Sequence, residues 1–195
     1  MDTPQALELA LTALNSGRIE DAIKHAAEAY RRYPSDVAVL NILGACYLRG
    51  GRHAQAIETL NAALKFAPQN AALEINIGVA YDQCGDLENA LIHLQSAHNL
   101  EPGNPETREK FAQVLFKIGK YDAALGHYAA LTRDAPHLVA SWLGLGHVQF
   151  QRGEFSSAIS SYRQALQRAP QNGIAQLNLA YAAIGACIAQ TTKPT

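Results

Sequence analysis

The feature that most constrains the fold of this 195-residue chain is a 34-residue repeat. Proline, glycine and alanine each recur five times at this spacing, without a gap or an insertion. The prolines are Pro34, Pro68, Pro102, Pro136 and Pro170, the glycines Gly17, Gly51, Gly85, Gly119 and Gly153, and the alanines Ala22, Ala56, Ala90, Ala124 and Ala158. Such a period indicates a stack of similar supersecondary units, each of which buries its apolar face against its neighbours.

The repeated residues predict two helices in each unit. Glycine adopts a left-handed backbone conformation at low cost, so each repeated glycine is expected to follow the end of a first helix. Proline lacks a backbone N–H and disfavours helix at the residue before it, so each repeated proline is expected to end a second helix. Residues that can cap the following helix come shortly after four of the prolines: Asp36, Asn70, Asn104 and Asn172. The 35 alanines of the chain also favour helices over strands.

Small and large residues alternate at fixed repeat positions, as expected for closely packed helix pairs. A small residue recurs on the first helices at Ala10, Gly44, Gly78, Ala112 and Gly146, opposite the repeated alanines of the second helices. Large residues that should pack around them are Leu9, Leu43, Ile77, Phe111 and Leu145 on the first helices, with Leu60, Leu94, Tyr128 and Tyr162 on the second helices. We expect these residues to form the core.

Charge and composition exclude several classes of protein. The formal net charge is −1, so the chain lacks the basic surface that binding to nucleic acid requires. No segment has about 18 unbroken apolar residues, and the acidic start Met1–Pro4 differs from a secretory signal. We therefore expect no membrane insertion and a cytoplasmic location.

The sequence contains no pattern that predicts catalysis, a metal site or a cofactor. There is no nucleophile elbow, no phosphate-binding loop and no pair of metal-binding histidines at helical spacing. His25, His93 and His127 share one repeat position, and we expect them to be solvated on the outer face. The three cysteines include no CxxC pair, which favours free thiols. The expectation is a protein that is not an enzyme and that has no catalytic residues, no metal and no cofactor.

The pattern resembles the tetratricopeptide repeat, a 34-residue helix–turn–helix unit. The residues that carry the resemblance in one unit are Trp142, Leu145, Gly146, Gly153, Ala158, Tyr162, Ala165 and Pro170. The resemblance covers nearly the whole chain and implies an all-α fold, a right-handed α–α superhelix (tetratricopeptide repeat solenoid). It predicts one domain over residues 1–195, with repeats at 3–36, 37–70, 71–104, 105–138 and 139–172 and a terminal helix at 173–190.

The resemblance also implies a binding site. In tetratricopeptide proteins the first helices line a concave groove in which partner peptides usually bind, which suggests a protein–protein interaction scaffold that binds a protein or peptide ligand. Carried over position by position, the groove residues are Asn41, Leu48, Arg49, Asn76, Val79, Gln83, Lys110, Gln113, Phe116, Lys117, His147, Phe150, Asn178 and Tyr181. The same wall is expected to include Ala45, Ile75, Asp82, Glu109, Leu143, Gln151 and Leu177.

Two alternatives to a simple scaffold remain open from the sequence. The chain resembles repeat regions that present acceptor proteins within larger bacterial enzymes of the glycosyltransferase or sulfotransferase type. It also has an uncharged C-terminal helix, residues 173–190, that is apolar on most sides. Such a helix is usually buried, so we expect it to be covered either by a continuation of the natural chain or by a second copy, as in a homo-oligomer.

Overall fold

The computed structural model describes residues 3–191, and the side chains of residues 5–191; Met1, Asp2 and residues 192–195 of the predicted domain lie outside the described residues. Between residues 3 and 191 the chain forms eleven α-helices and no strand. The first helices of the five repeats are α1 (Thr3–Asn15), α3 (Val37–Arg49), α5 (Ala71–Cys84), α7 (Pro105–Lys117) and α9 (Val139–Gln151). The second helices are α2 (Ile19–Arg32), α4 (His53–Phe66), α6 (Leu87–Leu100), α8 (Tyr121–Asp134) and α10 (Phe155–Arg168), and the chain ends in α11 (Gly173–Thr191). The predicted all-α repeat fold is confirmed.

The helices belong to two compact units, Met1–Pro102 and Gly103–Thr195. The first unit contains α1 to α6 and the second contains α7 to α11, and within each unit every helix packs against the next one in the chain. That residues 1–195 form one domain remains a prediction.

The residues that were expected to end and begin helices do so. All five repeated glycines have a positive φ, between 68° and 82°, which is the left-handed conformation that a side chain would strain. The side chain of Asp36 accepts hydrogen bonds from the backbone N–H groups of Ala38 and Val39 at the start of α3. Asn70, Asn104 and Asn172 cap α5, α7 and α11 in the same way.

The small residues of the first helices lie under large side chains of the second helices. A Cβ atom built on Gly78 would be 2.6 Å from Cγ of Leu94, and one built on Gly146 would be 2.5 Å from Cε1 of Tyr162. These distances leave no room for a methyl group, so glycine is what lets Leu94 and Tyr162 reach the core. The repeated alanines are fully buried opposite them, at Ala22, Ala56, Ala90, Ala124 and Ala158.

Two expectations about individual side chains were wrong. Leu9 is 36% exposed, although it was expected in the core. The repeated histidines are half-buried instead of solvated. Nδ1 of His93 is 2.6 Å from Oε2 of Glu74, and the ring stacks on that of Tyr81 at 5.5 Å.

The buried carboxylate of Glu74 explains the position of His93. Glu74 is 7% exposed and also accepts a hydrogen bond of 2.9 Å from the hydroxyl of Ser96. A buried carboxylate requires hydrogen-bonding partners, and α6 supplies both of them. His127 instead contacts Phe111 edge-on at 5.0 Å. Histidines at the same repeat position therefore make different contacts, because the preceding helix presents a carboxylate to one and an aromatic ring to the other.

Helix α11 has an apolar stripe that the described residues leave uncovered. Its exposed large apolar residues are between 53% and 62% exposed and follow a spacing of three and four residues: Ile174, Leu177, Tyr181, Ile184 and Ile188. By length and composition alone α11 is also long and apolar enough to cross a bilayer, with a mean hydropathy of 1.2. The expectation that no segment could do so is therefore corrected for this helix. One such helix supports a membrane span only weakly, and Gln176 and Asn178 interrupt its apolar sequence.

Candidate functional site

A cavity of about 470 Å³ in the second unit contains five of the fourteen predicted groove residues. We call it the aromatic cavity, and it is lined by Phe116, His147, Phe150, Gln151, Tyr162, Asn178 and Tyr181. Its volume lies within the range of roughly 300–1,000 Å³ that is typical of small-ligand sites. The site is therefore large enough for a side chain of a partner together with part of its backbone.

The repeat itself brings these residues together. Phe116 and Phe150 occupy the same repeat position on α7 and α9, while His147 and Tyr181 share another position on α9 and α11. Because equivalent first helices follow each other in the stack, side chains one repeat apart line the same wall. Tyr162 comes from the second helix α10 and closes the cavity from that side.

A histidine–amide pair lines the aromatic cavity. Nδ2 of Asn178 is 2.7 Å from Nε2 of His147. Burial lowers the pKa of His147 below its ordinary value, which favours the neutral ring at neutral pH. Since an amide nitrogen only donates, Nε2 accepts this hydrogen bond and the proton of the neutral ring is on Nδ1.

Aromatic rings hold His147 on two sides. The centroid of its ring is 5.7 Å from that of Tyr162 and 6.4 Å from that of Phe116. Burial raises the pKa of Tyr162 to about 12, so its hydroxyl is also neutral at physiological pH. The wall of the aromatic cavity is therefore rich in rings and carries no formal charge.

A second cavity, of about 340 Å³, lies on the other side of Phe116 and His147, which line both. It includes two more of the fourteen predicted groove residues, Gln113 and Lys117. It differs from the aromatic cavity in carrying charged groups, because Lys117 and Glu109 both line it. Tyr128 lines it as well, and burial, together with the charge of Glu109, raises the pKa of that hydroxyl. Lys110 is half-buried on α7 but lines neither cavity.

The predicted groove residues of the first unit have varied surroundings. The amide of Asn76 donates a hydrogen bond of 2.8 Å to Oδ1 of Asn41, and Leu48 packs against the core around Leu60. Val79 is half-buried, while Arg49 and Gln83 are exposed. The cavity described in this unit, of about 210 Å³, is lined by other residues: Ala27, Tyr30, Leu40, Leu43, Tyr47, Gln55, Glu58, Thr59 and Ala62.

Sequence reasoning missed the role of Tyr162. It was expected only in the core, and it is indeed just 2% exposed, yet its ring forms part of the aromatic cavity. The signal was available, because this repeat position changes from leucine at Leu60 and Leu94 to tyrosine at Tyr128 and Tyr162.

No metal-binding group is found in the part of the chain that the structure describes. Over residues 3–191, no three His, Cys, Asp or Glu side chains lie close enough together to hold an ion. The cysteines are unpaired: Cys46 is buried, which raises the pKa of its thiol to about 11, while Cys84 and Cys187 are exposed.

Regularly repeated helix pairs, with a wall of first-helix side chains, define a helical repeat protein. A family model described as the tetratricopeptide repeat matches residues 7–71, 110–173 and 143–185. The chain belongs to the tetratricopeptide repeat family, as the sequence resemblance predicted. The comparisons indicate no enzyme family, and a search of curated proteins found no match.

Solved structures share this fold at low sequence identity. TTC0263, a tetratricopeptide repeat protein of Thermus thermophilus, is 20% identical with a TM-score of 0.76, over 94% of this chain and all of that one. YrrB, described as having an unusual peptide-binding site, is 21% identical with a TM-score of 0.72, over 90% of both chains. MamA is 21% identical with a TM-score of 0.72, over 87% of this chain and 92% of that one. Identities this low show the shared fold alone.

Proposed function

We propose that this protein is a non-catalytic interaction scaffold whose second unit binds a segment of a partner protein along α7, α9 and α11. The observation that carries the proposal is the aromatic cavity, in which side chains from three successive first helices converge. Aromatic side chains supply large contact areas at low entropic cost and dominate protein-binding sites. Similarity to YrrB, with its peptide-binding site, supports the same function.

Polar groups beside the rings support binding of a peptide rather than of a purely apolar ligand. Asn178 uses one amide N–H for His147, which leaves its second N–H and its carbonyl oxygen for a ligand. Gln151 is exposed and adds another amide at the cavity wall. Amides of this kind can pair with the backbone of an extended segment, while the rings receive its side chains.

Selection of binding peptides tests this proposal. The full chain would be used to select from a random peptide library, and the affinity of the selected peptides would be measured by calorimetry for wild type and Tyr181→Ala. Tyr181 is 53% exposed, so the substitution should leave the fold intact, but it removes one wall of the aromatic cavity. We expect a loss of about tenfold or more in affinity, as for the central residues of other interfaces.

Tyr33→Ala is the matched control for this experiment. Tyr33 is 42% exposed, belongs to the first unit and lines none of the cavities described above. This substitution removes the same atoms from another surface, so it should leave the affinity for the selected peptides unchanged. Equal affinity of wild type and Tyr181→Ala for every selected peptide would rule out binding at the aromatic cavity.

The exposed stripe of α11 favours self-association as a second function. It contains five large apolar residues at the three-and-four spacing of a helix–helix seam, and α11 contains no charged residue that would repel a second copy. Each of these side chains is more than half exposed, so a second copy packed on the stripe would remove apolar surface from water.

Light scattering at rising protein concentration tests this second proposal. The wild type should associate, and Leu177→Glu with Ile184→Glu should shift it to monomer, because two charges would enter the apolar stripe. Gln176→Glu with Ala183→Glu is the control, because it adds the same charges at the same spacing on exposed positions beside the stripe. A monomeric wild type that floats with lipid vesicles would show instead that α11 binds membranes.

The remaining parts of the functional prediction stay predictions. A role as the repeat region of a larger enzyme has no support from the comparisons. A cytoplasmic location is part of our proposal and is supported by the three free thiols, since unpaired cysteines are typical of reducing compartments.

A further inference from the structure

The lining of the aromatic cavity contains no group that would balance a charge on a ligand. Its side chains are four aromatic rings, two amides and His147. Because burial lowers the pKa of His147 and raises that of Tyr162 to about 12, both are neutral near pH 7. A charged side chain that entered this space would lose its hydration without gaining a partner of opposite charge, which is costly.

We propose that the aromatic cavity is an anchor site for one uncharged aromatic or branched aliphatic side chain, of the phenylalanine, tryptophan or leucine type, on the partner segment. This inference rests on the proposed function and deepens it, because it states which chemistry of partner the site selects. Rings in the wall give such a side chain edge-to-face and stacked contacts. The amide of Asn178 holds the backbone beside it.

A cationic side chain is the main competitor, because aromatic faces also attract cations. A site binds a cation most strongly when a carboxylate helps to balance the charge, and the aromatic cavity has no carboxylate in its lining. The carboxylate of Glu109 lines the second cavity instead, together with Lys117. Charged residues of the partner would therefore be accommodated in the second cavity, next to the anchor.

Small-molecule probes test the anchor chemistry without a known partner. Indole and p-cresol represent uncharged aromatic side chains, while butylammonium and propionate represent charged ones. Each probe would be titrated into the full-length protein labelled with an NMR-active nitrogen isotope, and the chemical shifts of the backbone amides would be measured by NMR. We expect indole and p-cresol to shift amides of α9 and α11 around the cavity and to bind about tenfold or more tightly than the charged probes.

Variants connect the probe signal to the cavity. Tyr181→Ala should weaken binding of p-cresol, and Tyr33→Ala should not. Butylammonium binding as tightly as p-cresol, with shifts of the same amides, would overturn the proposal in favour of a cation site. The absence of any shift at these amides with millimolar indole or p-cresol would overturn it as well.

The peptide selection separates failure of the anchor from failure of the scaffold function. Selected peptides whose affinity depends on Tyr181, and which share an apolar or aromatic residue, support both proposals. Peptides that depend on Tyr181 but share a charged residue would refute the uncharged anchor and keep the scaffold. Peptides that are all insensitive to Tyr181→Ala would refute both.

Discussion

A methyl group added at Gly78 tests whether the packing of the repeats depends on glycine at this position. The new Cβ would lie 2.6 Å from Cγ of Leu94 and 3.3 Å from the backbone oxygen of Ala90. Both neighbours are buried, and Cγ cannot move without moving the whole side chain. Overpacking of this kind costs about 1–3 kcal/mol. Alanine is favoured over glycine within a helix by about 1 kcal/mol, so Gly78→Ala should lose roughly 0–2 kcal/mol net.

Gly126 provides a matched control that isolates the steric cost. It lies within α8, and a Cβ atom built on it meets no heavy atom within 4 Å. Gly126→Ala should therefore gain about 1 kcal/mol from helix propensity alone. The difference between the two glycine-to-alanine changes, measured by urea unfolding followed by circular dichroism, should be about 1–3 kcal/mol.

A double-mutant cycle with Leu94→Ala should reverse the sign of the effect at Gly78. Leu94→Ala alone should cost about 2–5 kcal/mol, because it empties a buried position. In that background the contacts with the side chain of Leu94 are absent and the contact with the backbone oxygen of Ala90 remains, so adding Gly78→Ala should raise stability through helix propensity. A stability change for Gly78→Ala that is the same with and without Leu94 would refute the proposed packing.

Three further predictions concern buried polar and titratable groups. Glu74→Ala should destabilise the fold by about 1–3 kcal/mol in urea unfolding, because His93 and Ser96 lose a buried acceptor; equal stability would show that the carboxylate is dispensable. The contribution of His147 to stability should be fully present above its ordinary pKa of 6.5 and be lost as the pH falls toward its lower pKa in the folded chain, since the unfolded chain then binds more protons; His147→Gln should remove this part of the pH dependence. The thiol of Cys46 is buried with a pKa of about 11, so a thiol reagent should label only the two exposed cysteines quickly, and fast labelling of all three in the folded protein would contradict the burial.

The helix boundaries could be predicted because they depend on local backbone chemistry. A glycine with positive φ and a proline without an N–H act on their own residues and immediate neighbours. The first helices from α3 onward accordingly begin one repeat length apart, at Val37, Ala71, Pro105, Val139 and Gly173. No long-range information is needed for such a pattern, which is why the repeat alone predicted the helices.

The functional surface could be predicted only in part, because it depends on which side chains face one another. Sequence position placed Asn41 and Asn76 in the groove, which stays a prediction, but it did not show that the amide of Asn76 donates a hydrogen bond to that of Asn41. It placed His93 on a solvated face, but a buried carboxylate on the neighbouring helix holds its ring. Each outcome depends on a partner from another helix, and a position in the repeat does not identify that partner.

The same dependence applies to Tyr128 and Tyr162, which stand where earlier repeats have Leu60 and Leu94, and each tyrosine lines a cavity of the second unit. Tyr162 fills the space above Gly146 with one part of its ring and lines the aromatic cavity with another. If the cavity binds a ligand as proposed, core packing and ligand binding are coupled through one side chain.

Substitution at Gly146 tests this coupling. A methyl group there would lie 2.5 Å from Cε1 of Tyr162 and should push the ring toward the cavity. We expect Gly146→Ala to weaken binding of p-cresol as well as to reduce stability, whereas Gly78→Ala, in the other unit, should reduce stability alone. Titration of both variants under conditions where each is fully folded separates the two effects. Unchanged p-cresol binding in Gly146→Ala would mean that the ring of Tyr162 does not shape the binding site.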